Sequence, residues 1–232
     1  MVRKNIRSYV LRVLDALNCF YSLRDLEKLL EVPFQNLWKY VNLLTVPEEK
    51  TAEKILRRIQ ELRLIEKAVD GLFEENSDDI WGVARNPGFL RLFSLVIEDF
   101  VQGMGVNTIV PMSEYAIPLA SIVAMELDME ICPALQHSIK YEKEGFHVTH
   151  YVSRKTGEYC ILAMPRKCLH KGVKALLLDI AVEELDRVAA IASTIRRARA
   201  EPYCLISIQS TREVYDQLKE LGIQRIKVFR II

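Results

Sequence analysis

Residues 175–193 read ALLLDIAVEELDRVAAIAS. An apolar run ends in an acid, Asp179, and a helical pattern follows. Such a switch of period marks a buried strand feeding a helix. In many α/β proteins that junction holds a phosphate at the helix N-terminus. Here the turn carries Val182, Glu183, Glu184, Leu185, Asp186 and Arg187, and no glycine.

Working outward, the same alternation fills the chain from Asn107 onward. TIVPM reads as a strand and AIPLASIVAMEL as a helix. EICPA is a strand. FHVTHYVS and EYCILAM, parted by RKTGE, predict a hairpin. KALLLDI is a strand and DRVAAIASTIRRARA a helix. YCLISI, REVYDQLKELG and RIKVFRI add strand, helix and strand. This order predicts a mainly parallel sheet covered by helices, with ligands at the carboxyl ends of its strands.

Upstream, residues 1–69 read as helix. Ile6, Tyr9, Val10, Val13, Leu14 and Leu17 recur at helical spacing. Ser22 with Asp25 forms a variant capping box before LEKLL. Pro33 opens a third helix and Pro47 a fourth. The acidic, turn-rich Asp70–Gly82 reads as part of a connection, and Asn86 as the cap of a helix over 87–101. The expected domains are 1–69, a linker at 70–86, and 87–232.

Half of the 232 residues are hydrophobic and the net charge is +1. That supports an ample core and excludes a chain that binds nucleic acid by bulk charge. Charges interrupt the N-terminal stretch, so no signal peptide is expected. No apolar run approaches the roughly 20 residues that span a bilayer. Five scattered cysteines without metal-ligand spacing suit a reduced, cytoplasmic protein, with Cys132, Cys160 and Cys204 in the core.

The segment SLRDLEKLLEVPFQNLWKYVNLL places two short helices around a tight turn. Leu26, Leu29 and Leu30 can pack on Leu37, Tyr40 and Val41. Gln35, Asn36, Trp38, Lys39 and Asn42 then face outward, and these types suit base edges and phosphates in a major groove. Residues 1–69 hold 13 basic and 9 acidic residues. The segment resembles the helix-turn-helix of the Cro and phage-repressor family, where a recognition helix leads to a short loop, a proline and another helix. It departs from that family in having Glu31-Val32-Pro33 where a glycine is usual, and in the bulky Trp38. A helical dimerisation or lid domain is the alternative.

The second half resembles type I phosphoribosyltransferases. NTIVPMSEYAIPLASIVAMELDMEICPA matches the family's strand, pyrophosphate loop, IPLA helix and next strand. HSIKYEKEG matches a lysine-bearing stretch, and the hairpin matches a flexible hood. KGVKALLLDI matches the strand leading to the phosphoribosyl diphosphate loop. The resemblance implies two adjacent acids on the ribose hydroxyls and a Gly/Thr loop on the 5′-phosphate. This chain keeps Asp179 but has Ile180 in the second acid's place. Its phosphate loop is acidic, and Glu114 follows Ser113 in the pyrophosphate loop. Two unit charges about 4 Å apart repel by about 4 kcal/mol at an effective dielectric near 20. Both loops therefore read as turned against phosphate.

The candidate ligand residues of this altered cleft are Ser113, Glu114, Lys140, Lys143, Asp179, Glu183, Glu184 and Arg187. The acids also suit an ordinary helix start, favoured by its dipole, or a divalent cation. The four histidines show no partner that would make a catalytic or metal set. No catalytic residue, cofactor or metal is expected.

Together the halves resemble archaeal regulators that fuse a helix-turn-helix to a phosphoribosyltransferase-like domain. The resemblance implies a non-catalytic, DNA-binding transcriptional regulator. Its expected partners are double-stranded DNA, a second copy of the chain and a small nucleotide-like effector, with no membrane. The alternative is an active transferase of orotate or purine class with a helical appendage.

Overall fold

The computed structural model describes residues 5–76, 79–136 and 145–232. The chain divides into two compact units, 1–96 and 97–232.

The first unit is helical. α1 (Ile6–Leu17) is capped by Asn5, whose side chain accepts from Arg7 N. α2 (Leu23–Leu30) is capped by Ser22, which accepts from Asp25 N at 3.2 Å and donates to its carboxylate at 2.6 Å. The serine cap forms, and the Asp25 carboxylate accepts from the Ser22 hydroxyl. α3 spans Phe34–Val41 and α4 spans Glu49–Glu61. Leu26, Leu30, Leu37, Ile55 and Ile59 meet in the core.

Between α2 and α3, Glu31 takes the left-handed conformation at φ 55°. Glycine is the residue that adopts this region without steric cost. Here a glutamate holds it, anchored by Arg58 at 2.8 Å.

The expected linker at 70–86 is largely helical. α5 (Leu64–Glu75) runs into it, and α6 (Ile80–Ala84) lies within it. Leu72, Phe73, Val83 and Ala84 are buried, so the stretch belongs to the first unit's core. Asp70, Glu74 and Glu75 lie on the exposed side of α5, an acidic face that reads in sequence as part of a turn-rich run. α7 (Pro87–Val101) follows, with Asn86 accepting from Phe89 N at 3.0 Å.

The second unit is mixed α/β. β1 (Thr108–Pro111), β2 (Glu130–Ile131), β6 (Lys174–Val182), β7 (Glu201–Ser210) and β8 (Arg225–Ile231) form one sheet in the order β2-β1-β6-β7-β8. Every pair in it is parallel. Such strands are covered on both faces, which is why β1 and most of β6 and β7 are buried apolar runs. The crossovers include α8 (Ile117–Leu127), α9 (Leu185–Arg197) and α10 (Arg212–Leu218).

A smaller antiparallel sheet, order β3-β5-β4, is inserted between β2 and β6. It comprises β3 (Leu135–Gln136), β4 (Phe146–Val152) and β5 (Tyr159–Pro165). β4 and β5 are the expected hairpin, and Gly157 at φ 73° turns it. We call this sheet the hood. β4 packs against α9.

Cys132 and Cys168 form a disulfide with a Cα separation of 5.5 Å. This corrects the expectation that all five cysteines are reduced. The two lie 36 residues apart in sequence, and only the hood insertion brings them together.

Candidate functional site

The strand order locates the cleft. From β1 the chain crosses to β2 on one side, and the hood then returns it to β6 on the other. Ligands in open parallel sheets bind outside the carboxyl ends of the strands at such a reversal. Ser113, just past β1, and Asp179, near the end of β6, are both buried there. Ser113 Oγ donates to Asp179 Oδ1 at 2.5 Å, and Ile180 N donates to the same oxygen at 2.9 Å. Residues 66 apart in sequence are thus joined at the sheet's switch point.

Burial pushes the Asp179 carboxyl up to about 6. Hydrogen bonds from Ser113 and Ile180 and the nearby Arg187 charge pull it down, and Glu114 pushes it up. Tyr151, on the hood strand β4, is pushed up to about 12, chiefly by burial. Arg187 also acts on it in the opposite sense. The Arg187 guanidinium therefore lies within electrostatic reach of both the sheet's acid and the hood's phenol.

The acids of the 182–187 turn face the hood. Ser153 Oγ donates to Glu184 Oε1 at 2.7 Å, Arg154 pairs with Asp186 at 3.2 Å, and Lys155 pairs with Glu183. All three partners come from the hairpin turn between β4 and β5, which is closed by Gly157 N donating to Ser153 O at 2.8 Å. Two cations and a hydroxyl thus meet three carboxylates. With Arg187 the formal charge of the group is zero. Glu114, in the loop after β1, is exposed.

Of the expected ligand residues, the structure brings together Ser113, Asp179, Glu183, Glu184 and Arg187 around one strand end. Lys140 and Lys143 lie outside the described residues. Sequence reasoning missed Tyr151, Ser153, Arg154 and Lys155. The available signal is the basic pair in RKTGE between two strands, whose register with the acidic turn only the tertiary fold sets. Among the described residues no three His, Cys, Asp or Glu side chains are grouped to hold a metal ion.

In the first unit, Gln35, Asn36, Trp38, Lys39 and Asn42 lie on or beside α3, and Trp38 is 46% exposed. Phe34, Gln35, Trp38 and Lys39 line an open depression of about 430 Å³. Asn42 Nδ2 donates to Trp38 O at 2.8 Å, so its amide is engaged at the end of α3.

No protein-family model matches the sequence, and no curated protein sequence matches it. Solved structures do. The adenine phosphoribosyltransferase of Thermoanaerobacter pseudethanolicus matches with a TM-score of 0.57 at 14% identity, over 66% of this chain and 87% of that one. The enzyme of Rhodothermus marinus gives 0.56 at 17%, over 66% and 85%. That of Giardia lamblia, solved with 9-deazaadenine, gives 0.56 at 10%, over 65% and 83%. The chain therefore contains a unit with the phosphoribosyltransferase-like fold.

These likenesses overturn the expectation that the chain is not an enzyme. The structures named above are adenine phosphoribosyltransferases, and three of the four acids on which that expectation rested, Glu183, Glu184 and Asp186, are paired with the hood. Repulsion of a phosphate by three unpaired carboxylates does not arise when each has its own donor. No helix among the described residues is long and apolar enough to cross a membrane.

Proposed function

We propose that the second unit is a phosphoribosyltransferase of purine class. In this reaction a base nitrogen forms a bond to C1′ of phosphoribosyl diphosphate. The C1′–oxygen bond breaks, pyrophosphate leaves with its electron pair, and the base loses a proton. The observation that carries the reading is the Ser113–Asp179 contact at the switch point of an all-parallel sheet, beneath a hood. In this reading Asp179 accepts a hydrogen bond from a ribose hydroxyl. The likeness to adenine phosphoribosyltransferases supports the purine class over the orotate class.

The test is pyrophosphate release from phosphoribosyl diphosphate with adenine, hypoxanthine or guanine. Turnover that Asp179→Asn removes is expected. Wild-type protein inert with every purine sinks the reading.

A second reading concerns the first unit alone. Gln35, Asn36 and Lys39 stand exposed on α3, in a unit whose first 69 residues hold more basic than acidic residues. This supports duplex DNA recognition by α3 in a major groove, with two copies presenting their helices about 34 Å apart. Lys39→Glu should abolish the gel shift of genomic fragments at low salt and leave the circular dichroism spectrum unchanged. A wild-type protein that shifts no fragment refutes it.

A further inference from the structure

The end of α3 exposes leucines where the fold asks for none. Leu44 N donates to Lys39 O at 2.9 Å and Leu43 N donates to Tyr40 O at 3.1 Å, with Leu43 left-handed at φ 56°. This pair of bonds is a helix stop that glycine usually makes, because a Cβ in that region is strained. The residue after the stop often lays an apolar side chain back on the helix. Here that residue is Leu44, and the helix position it would meet is Lys39. Leu43 is 71% exposed, Leu44 60% and Val46 48%. None of the three adds a buried side chain to its own unit.

The loop is nonetheless held at both ends. The α3 stop fixes its start. At its far end Arg7 Nε donates to Pro47 O at 2.7 Å, and Pro47 is buried. Trp38, in the last turn of α3, is exposed as well. Trp38, Leu43, Leu44 and Val46 leave on the order of 400 Å² of apolar surface open. Exposed apolar patches of this size mark interaction sites.

Composition selects the partner. Residues 40–47 carry no charge. The loop therefore offers no cation to a phosphate backbone, the contact that dominates nucleic-acid affinity. An anionic membrane calls for a basic flank. Here the exposed flanks carry both signs, Arg7, Lys39 and Lys50 against Glu48 and Glu49. A two-fold contact sets a patch against itself. A flank of one sign would repel its own copy, and a mixed flank can pair across the axis. Size points the same way. One partner of a standard interface contributes about 800 Å², and homodimer interfaces are about 65% apolar. The patch supplies most of that apolar share, and Asn42, Thr45 and the charged flanks supply a polar rim.

We propose that two copies of the chain pair through the loop between α3 and α4. Leu43, Leu44 and Val46 of each copy meet those of the other, beside Trp38. The pairing stands without the duplex reading. It lies at the end of α3 and leaves Gln35 and Asn36, in the first turn, outside the contact.

Cross-linking of the full chain tests this. Thr45 is exposed between Leu44 and Val46, so near a two-fold axis it meets its own copy. Thr45→Cys is oxidised with diamide and run on a denaturing gel without reductant. It should give at least tenfold more covalent dimer than wild type, whose exposed Cys19 sets the background. Adding Leu44→Asp should return the yield to background and leave the circular dichroism spectrum unchanged, because Leu44 is exposed. Thr156→Cys, on the exposed hood turn, should stay at background. In sedimentation equilibrium without oxidant, Leu44→Asp should weaken one association step of the wild type at least tenfold. A Thr45→Cys yield that is no higher than wild type, is unmoved by Leu44→Asp or is matched by Thr156→Cys overturns the proposal. So does self-association that is equal in wild type and Leu44→Asp, or absent from both. A wild-type gel shift without the Thr45→Cys dimer removes the pairing and leaves the duplex reading standing. The dimer without a gel shift does the reverse.

Discussion

Asp179 holds its position against its own solvation. The folded carboxyl titrates at about 6 and an exposed one at 3.8. Below the lower value it is protonated in both states and costs nothing. As pH rises through the folded value, the native state must carry a buried charge that the unfolded chain carries in water. Stability from this group is therefore present in acid and lost towards neutrality. The difference of about 2 units corresponds to about 3 kcal/mol. Asp179→Asn keeps an oxygen for Ser113 and Ile180 and carries no charge. Urea unfolding should find the variant more stable than wild type at pH 7.5, by up to about 3 kcal/mol. At pH 4 the gap should close. Equal stability at both values would show that the charge is screened in the cleft. The residue to which the proposed transfer assigns the ribose is then one that folding would prefer to lose.

At the scale of elements, the hood is held at both ends. Its turn grips the β6–α9 acids, and its base is closed by Cys132 and Cys168. Exposed ion pairs of this kind contribute no more than about 1 kcal/mol each. The covalent link contributes more: closing 36 residues removes about 4 kcal/mol of unfolded-chain entropy. Cys132→Ser, or reductant added to wild type, should lower the unfolding free energy of the second unit by roughly that amount. An unchanged urea midpoint would show that the link is not formed in solution.

The main sheet is legible in the sequence because buried parallel strands are uninterrupted apolar runs, as in ALLLDI and YCLISI. The hairpin is legible from its two alternating strands around RKTGE. The disulfide is not, because nothing in the spacing of Cys132 and Cys168 encodes the fold-back between them. The 70–86 stretch reads as a connection because its exposed acids outweigh the apolar positions Leu72, Phe73, Val83 and Ala84. The site is half legible. Asp179 and Arg187 stand in a recognisable place, but the sequence alone reads a negative turn where the folded group is formally neutral. The neutralising cations arrive from a hairpin some 30 residues earlier, and local sequence carries no record of that pairing.

Across the whole molecule, two compact units occupy one chain, and each has its own test. Turnover by the second unit and DNA retention by the first are independent measurements, and either can fail alone. Lys39→Glu should leave purine turnover intact, and Asp179→Asn should leave any gel shift intact. Loss of both activities in either variant would mean that the units act as one.

The stapled base of the hood makes residues 133–167 a closed ring of chain. Arg154 and Lys155 sit on its outer turn, and both side chains are more than half exposed. A single tryptic cut after Lys155 therefore opens the ring without dividing the molecule. On a denaturing gel the nicked protein should run as one species, and split into residues 1–155 and 156–232 when reductant is added. Two fragments without reductant would mean that the ring was never closed. If it is closed, a protein severed at the rim of its candidate active site stays in one covalent piece.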